Sequence, residues 1–417
     1  MFYDIIIIGG GISGLYTAYK ISKSAKYAHS RIALLEKEEY LGGRVFTYHD
    51  KYMDVEAGAG RFNNKHKLLL NLLIELNLEG KIQNTTGKSY YAPSDYTNSI
   101  YENENYNIID RIIKLGKSEK REVLQNLSFT EYSSRFLSTQ EVEYIQQSFG
   151  YYSELVVMNA YDSIRLLEDM RPSNKFHSLE GGFSQIIEKL VEQLNKNKNI
   201  TIFVKKEVIS FKHSDGIFEI TTDNQMKYTC NKIICTLPSN AMKKIKLRAG
   251  FPMKQKNTFR ESLDKIYCGS LCRIYSNFDN IWFKGLSKTT TNNNLRIIIP
   301  YNEKKGTIMI SYSDNKYADY WNHLYHKKGI EHVNRELQRY IHQSLGISIP
   351  KPKHTKIFYW KCGVGYWKIG ANSAEISRYI IHPFSDIDFF VCGENYSENQ
   401  QWMESALETS NHVLSLL

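Results

Sequence analysis

Hydrophobic and polar positions along this chain change period close to its start. Phe2 to Ile8 is an apolar, β-branched run, the composition of a strand buried on both faces. Gly9, Gly11 and Gly14 follow in the order G-x-G-x-x-G, and then Leu15, Ala18, Tyr19 and Ile21 recur at helical spacing. A second apolar run, Ile32 to Leu35, ends in Glu36. Strand, glycines, helix, strand and acid in this order predict a dinucleotide-binding unit. Gly9 allows a tight turn, Gly11 lets backbone approach a pyrophosphate, and Gly14 lets the helix pack on the sheet. The helix N-terminus offers N–H groups and a positive dipole end to phosphates. Glu36 can accept hydrogen bonds from ribose hydroxyls, and its charge disfavours a 2′-phosphate. On this stretch alone, NAD and FAD are both open.

The rest of the chain alternates between glycine-rich and glycine-poor segments. Gly42-Gly43-Arg44 and Gly58-Ala59-Gly60-Arg61 suit backbone in close contact with something flat or charged, and a strongly apolar helix is predicted over 65–78. From about 85 to 176 glycine is scarce and helical patches dominate, among them 108–115 and 139–149. Ser138 and Glu141 form a capping-box pattern at the start of the second patch. Glycines return at Gly181-Gly182, before one helical face of Ile186, Ile187, Leu190, Val191 and Leu194. Short strands are predicted at 200–204, 208–211, 218–221, 227–230 and 232–237. Residues 263 to 355 read as strands at 270–276, 295–299 and 307–312 with one clear helix, carrying Ile330, Val333, Leu337, Tyr340, Ile341 and Leu345. Phe389 to Cys392 is a short apolar strand running into Gly393-Glu394, and a helix from about 400 closes the sequence.

Composition adds bounds. A chain of 417 residues has length for two or three domains, and 42% hydrophobic with 24% charged residues is ordinary for a globular protein. The net charge of +10 reads as a solvated basic surface, because the densest basic run, Lys114 to Arg121, is interrupted by Glu119 and no nucleic-acid motif accompanies it. Steering of acidic substrates stays open. Cys230, Cys235, Cys268, Cys272, Cys362 and Cys392 form no C-x-x-C pair and are read as free thiols in a reducing compartment. No signal-peptide pattern, tail anchor or apolar run of spanning length is visible, so a cytoplasmic or otherwise intracellular protein without a membrane span is expected. His323, His326 and His332 lack a completing cysteine or acidic pair, so no metal site is expected.

The glycine loop with Glu36, the segments Gly42-Gly43-Arg44, Gly58-Ala59-Gly60 and Gly181-Gly182, and the terminus Val391-Cys392-Gly393-Glu394 together resemble the flavin-containing amine oxidases. That family includes monoamine, polyamine and L-amino-acid oxidases. The resemblance implies an α/β fold: a doubly wound, Rossmann-type FAD-binding domain, discontinuous over 1–84, 177–262 and 356–417. An α+β substrate domain would span 85–176 and 263–355. It implies non-covalent FAD, because Gly365 occupies the place of the monoamine oxidases' flavin-linking cysteine. It also implies hydride transfer to flavin N5 from the carbon bearing the amine of an amine or L-amino acid. The imine is then hydrolysed and O2 gives hydrogen peroxide.

Residue by residue, Glu36 resembles the ribose ligand, and Gly43 and Arg44 a contact to the flavin or diphosphate. Gly60 and Arg61 lie in a turn against the cofactor. Val208 resembles the backbone adenine contact, Gly393 and Glu394 the contact to the ribityl–diphosphate chain, and Met403 the N–H that meets the flavin pyrimidine oxygen. Tyr366 and Trp402 match the two rings that flank the amine. Arg61 resembles the arginine that clamps an amino-acid carboxylate bidentately, with Tyr312 in support; alternatively Arg61 pairs with an internal acid such as Glu56 or Glu394. Arg273 stands where many members keep a lysine near flavin N5. Gln401 replaces a glycine and could contact substrate, and Ser405 and Ser410 replace glycines of the final helix. These departures keep two other functions open: a flavin-fold binding or structural protein without oxidase activity, and an oxidase of a non-amine substrate.

Overall fold

A computed structural model describes residues 2–85, 87–94 and 99–417. Its first sheet is built on the opening strand, Phe2–Ile8, which lies parallel between Ile32–Leu35 and Lys227–Cys235. Ile200–Phe203 extends the sheet beyond Ile32–Leu35. On the other side, Ile217–Thr222, Val208–Ser214 and Lys246–Leu247 continue it. Ile6, Ile7, Ala33 and Leu34 have no exposed surface, as the unbroken apolar runs require of strands covered on both faces. The helices Ile12–Lys23, Ser184–Asn195 and Met403–Leu416 pack on one face, where Leu15, Ala18, Leu190 and Leu407 share an apolar cluster with Ile5 and Ile7.

The strands expected at 227–230 and 232–237 are one, Lys227–Cys235. It changes neighbours along its length. Tyr228 and Cys230 pair antiparallel with the Ile217–Thr222 strand, and Ile233 to Cys235 pair parallel with Phe389–Val391. The polar Asn231-Lys232 step, with Asn231 exposed, marks this exchange of partner and reads locally as a break.

A second sheet has the order His354–Trp367, Ile266–Asn277, Thr307–Asp314, Ile297–Asn302, Lys288–Thr291, Ser89–Ala92 and Tyr101–Glu102. The single helix expected in 263–355 is two, Asn315–Lys328 and Ile330–Leu345, separated by Gly329 at φ +76°. Both cover this sheet through Trp321, Val333, Leu337 and Ile341. The segment 105–169 is helical, and Ser138 caps Thr139–Ser148 as its sequence predicts: Ser138 Oγ accepts from Glu141 N–H at 3.3 Å, and Glu141 Oε2 accepts from Ser138 N–H at 2.9 Å.

The expectation of six free thiols fails. Cys268 and Cys362 form a disulfide, while Cys230, Cys235, Cys272 and Cys392 are free and buried. The two partners are 94 residues apart and meet only because Ile266–Asn277 and His354–Trp367 pair antiparallel, an adjacency that cysteine spacing does not reveal. Cysteine usage therefore no longer supports a reducing compartment. Among the described residues no helix is long and apolar enough to cross a membrane.

Candidate active site

The first helix begins at Ile12 with Gly11 as its N-cap, and no side chain caps it. Its leading N–H groups remain available to an anion. A Cβ on Gly14 would lie 2.0 Å from the Gly9 carbonyl oxygen, so the helix can approach the strand end this closely only with glycine there. Around Gly11 and Gly43 the opposite holds. A Cβ on Gly11 would meet nothing nearer than the Gly42 oxygen at 3.9 Å, and one on Gly43 nothing nearer than Gly11 Cα at 3.5 Å. Two glycine loops, bridged between Gly11 and Gly42, thus flank open space that backbone can share with a diphosphate.

Glu36 is fixed beside this space. Gly10 N–H donates to its Oε2 at 2.6 Å and Glu38 N–H to its Oε1 at 2.8 Å, which leaves acceptor capacity for hydroxyl groups. Lys206 N–H donates to the Glu36 carbonyl at 2.8 Å, which brings the start of the Val208–Ser214 strand alongside. The open glycine cradle, the uncapped helix and the fixed acid fit a dinucleotide with a free ribose.

Glu394 gathers residues from distant parts of the sequence. Its Oε2 accepts from Arg44 Nη1 at 2.7 Å and Asn395 Nδ2 at 2.6 Å. Its Oε1 accepts from Gly365 N–H at 3.0 Å and Gln401 N–H at 2.8 Å. Arg44 Nη1 also donates to the Gly363 carbonyl at 3.0 Å. Gly393, just before, has φ +138°. With two donors on each oxygen, the carboxylate is satisfied within the protein, and it holds Arg44, Gly365 and Gln401 around one point. Gln401 has φ +85°, a backbone that favours the glycine the family usually has there. Trp402 follows as the N-cap of Met403–Leu416, which puts Met403 in the first turn.

Beyond Gln401 lies a cluster of aromatic rings and cations, termed the chamber for the substrate space it would flank. The Arg61 guanidinium carbon is 4.8 Å from the Phe176 ring centroid and 5.9 Å from that of Trp402. Trp402 also meets His66, ring centroids 4.8 Å apart. Burial pushes His66 down to about 4, so the imidazole is neutral near pH 7. Neither acid named as a possible partner of Arg61 takes that role. Glu56 accepts from Thr47 Oγ1 at 3.1 Å and Phe183 N–H at 2.8 Å, and Glu394 pairs with Arg44. Among the described residues no carboxylate lies within ion-pair distance of Arg61.

Tyr366 and Trp402 share an apolar cluster with Met158 and Leu166. The Tyr366 hydroxyl donates to Glu154 Oε1 at 3.3 Å. Glu154 is buried, and its Oε2 has no hydrogen-bond partner among the described residues. Burial, then the nearby Asp314 carboxylate, hold the Glu154 carboxyl well above its usual range. On the opposite wall the Arg273 guanidinium lies over Tyr312, and Tyr151 meets Tyr312 edge-on with centroids 5.4 Å apart.

The structure therefore brings Arg61 and Trp402 into contact, joins Arg273 to Tyr312, and groups Tyr366 with Trp402. It sets Gly9, Gly11, Gly14, Glu36 and Gly43 around one cradle. Val208 lies beside Glu36 and away from the chamber. Four residues of the chamber escape a sequence reading: His66, Tyr151, Glu154 and Lys288. Tyr151, Glu154 and Lys288 belong to no motif, and His66 closes the segment that holds Gly58, Gly60 and Arg61 without being singled out there. Lys288 opens the strand Lys288–Thr291, which is not among the strands expected in 263–355, and burial, then the Arg61 charge, push its ammonium down to about 7.

The family model for flavin-containing amine oxidoreductases matches residues 12–413. An uncharacterised protein of Acanthamoeba polyphaga mimivirus is 22% identical over 479 residues, 99% of this chain and 93% of the relative. An L-amino acid oxidase of Cerastes cerastes is 20% identical, over 61% of this chain and 55% of its own length. Aplysianin-A of Aplysia kurodai is 22% identical, over 99% of this chain and 89% of its own length. Among solved structures, putrescine oxidase bound to putrescine superposes with a TM-score of 0.79 at 14% identity, over 100% of this chain and 99% of that one. The likeness to that structure shows the fold.

Proposed function

From membership of the flavin-containing amine oxidoreductases, to which this chain belongs, we propose that it binds FAD non-covalently and oxidises an L-amino acid at the carbon bearing the amine. The overall reaction is amino acid, O2 and water to 2-oxo acid, ammonium and hydrogen peroxide. The observation that carries this reading is Arg61, a guanidinium seated against Phe176 and Trp402 with no carboxylate of the described residues within ion-pair distance. Its free edge suits a substrate carboxylate.

Bound flavin supplies the two-electron acceptor. The glycine cradle and Glu36 would hold the adenosine diphosphate part, and Arg44, set by Glu394, the region beyond it. A cysteine at Gly365 would place its Cβ 2.6 Å from Asn395 Nδ2, so the linkage known from monoamine oxidases has no room here, in line with non-covalent binding. Tyr366 and Trp402 would hold the neutral amine between aromatic faces, and Tyr312 would support the carboxylate. Apolar neighbours, Met158 and Leu166, would help exclude water from the reacting carbon. The first turn of Met403–Leu416 would offer its positive dipole end to negative charge that grows on flavin reduction.

The L-amino acid oxidase relative supports the amino-acid version, and the putrescine oxidase fold a simple amine. Peroxide release from L-amino acids and from the amines they give on decarboxylation separates them. Turnover confined to the amino acids supports the reading, and turnover of the decarboxylated amines alone contradicts it.

A further inference from the structure

We propose that Lys288 is a second anion-recognising group of this chamber and that the substrate is an acidic L-amino acid, with Arg61 on the α-carboxylate and Lys288 on the side-chain carboxylate. The inference rests on the amino-acid reading above and names the substrate class within it. Lys288 opens the strand Lys288–Thr291, which lies between Ser89–Ala92 and Ile297–Asn302. Alternation along a strand puts Lys288 on the same face as Thr290. That face is covered by the turn leading into Ser153–Val156: a Cβ on Gly150 would lie 3.3 Å from Thr290 Cγ2 and 2.7 Å from Ile297 Cγ1. Tyr151, the next residue, packs edge-on against Tyr312. Lys288 is thus directed to the side of the sheet where Tyr151 and Tyr312 wall the chamber.

Charge supports the same assignment. Lys288 is largely withdrawn from solvent and senses the charge of the Arg61 guanidinium. It has no hydrogen-bonding or ionic partner among the described residues. Arg61 has no acid within ion-pair distance among the described residues either, and Arg273 commits one of its N–H groups to the Glu56 carbonyl. Burial raises the carboxyl of Glu154, which favours its neutral form. A monocarboxylic amino acid would satisfy Arg61 and leave the Lys288 amine with no group to stabilise its charge, which burial makes costly. A second carboxylate removes that penalty and restores the lysine's charge by proton uptake. It also gives the basic surface a substrate to attract.

The test is calorimetric binding of glutarate and butyrate to the FAD-loaded protein, with kcat/KM for L-glutamate and L-norvaline measured beside it. Wild type is expected to bind glutarate at least tenfold more tightly than butyrate and to favour L-glutamate. Lys288→Met should abolish both preferences, and Lys288→Arg should retain part of them. Should the methionine variant not fold, Lys288→Gln is read in the same way. Equal affinity for the two acids, no binding of either, or a glutarate preference that survives removal of the ammonium overturns the proposal. The amino-acid reading fails separately: oxidation of simple amines without any amino acid defeats it, whereas efficient oxidation of neutral amino acids alone defeats only the role of Lys288.

Discussion

The Arg273 guanidinium lies over the ring of Tyr312, its carbon 4.6 Å from the ring centroid, because the two residues face each other on antiparallel strands. Arg273 Nη1 donates to the Glu56 carbonyl at 2.9 Å, where the Tyr275 hydroxyl also donates at 2.8 Å. The residue therefore fastens the short Asp54–Glu56 strand, just before Arg61, to the second sheet. Arg273→Met removes a cation–π contact worth about 0.5–2 kcal/mol and one donor to a buried carbonyl worth roughly 1 kcal/mol. A loss of about 2 kcal/mol in denaturant unfolding is expected. Arg273→Lys keeps the charge and loses the flat stacking face, so it should fall between the two.

Gln401 holds φ +85° next to the chamber, with its N–H on Glu394. Glycine adopts this backbone freely, whereas a β-branched side chain resists it. Gln401→Gly is expected to leave unfolding free energy unchanged within about 1 kcal/mol. Gln401→Val should lose roughly 1–3 kcal/mol. Equal stability of the two variants would contradict the positive φ.

Burial raises the Glu56 carboxyl to about 7 from its ordinary value near 4.5. The folded protein therefore binds more protons at this site than the unfolded chain between those values. Its contribution to stability is full below pH 4.5 and is lost as pH rises through 7. Glu56→Gln removes the titration. The fall in Tm between pH 5 and pH 8 should be shallower in that variant, by differential scanning calorimetry. Lys288 acts in a different window: its lowered value gives stability that rises with pH above about 7, so the two effects are separable.

The Cys268–Cys362 disulfide closes a loop of 94 residues across the strand pair beside Glu394. A peptide map without reductant should recover these two cysteines linked and the other four free. Cys268→Ser is expected to cost about 2–4 kcal/mol under oxidising conditions and nothing in the presence of reductant.

What was legible in the sequence was mostly local. Gly9 to Glu36 stands out because strand, turn, helix and acid are consecutive, and the Ser138 capping box because its partners are three residues apart. Resemblance along the chain pointed to Arg61, Tyr312, Tyr366 and Trp402, whose grouping depends on strands and helices far apart in sequence. Pairing decided what stayed hidden. Cys268 meets Cys362, Tyr366 meets Glu154, and Lys288 turns inward only because particular strands and helices are neighbours. Asn231-Lys232 looked like a strand end because a partner exchange in mid-strand leaves the same polar interruption as a turn.

Arg61 carries the amino-acid reading most directly. Removing its guanidinium should cost roughly 2–4 kcal/mol of substrate binding, the value of a charge-assisted bidentate contact in a desolvated site. The decisive measurement is anaerobic titration of the flavin absorbance in wild type and Arg61→Ala with an L-amino acid panel and the matching decarboxylated amines. The account predicts that amino acids bleach the wild-type flavin. It also predicts that the variant needs at least about thirtyfold more amino acid for half-reduction, a factor set by that energy. Flavin that no amino acid bleaches, or bleaching by amino acids that is indifferent to Arg61, would contradict it.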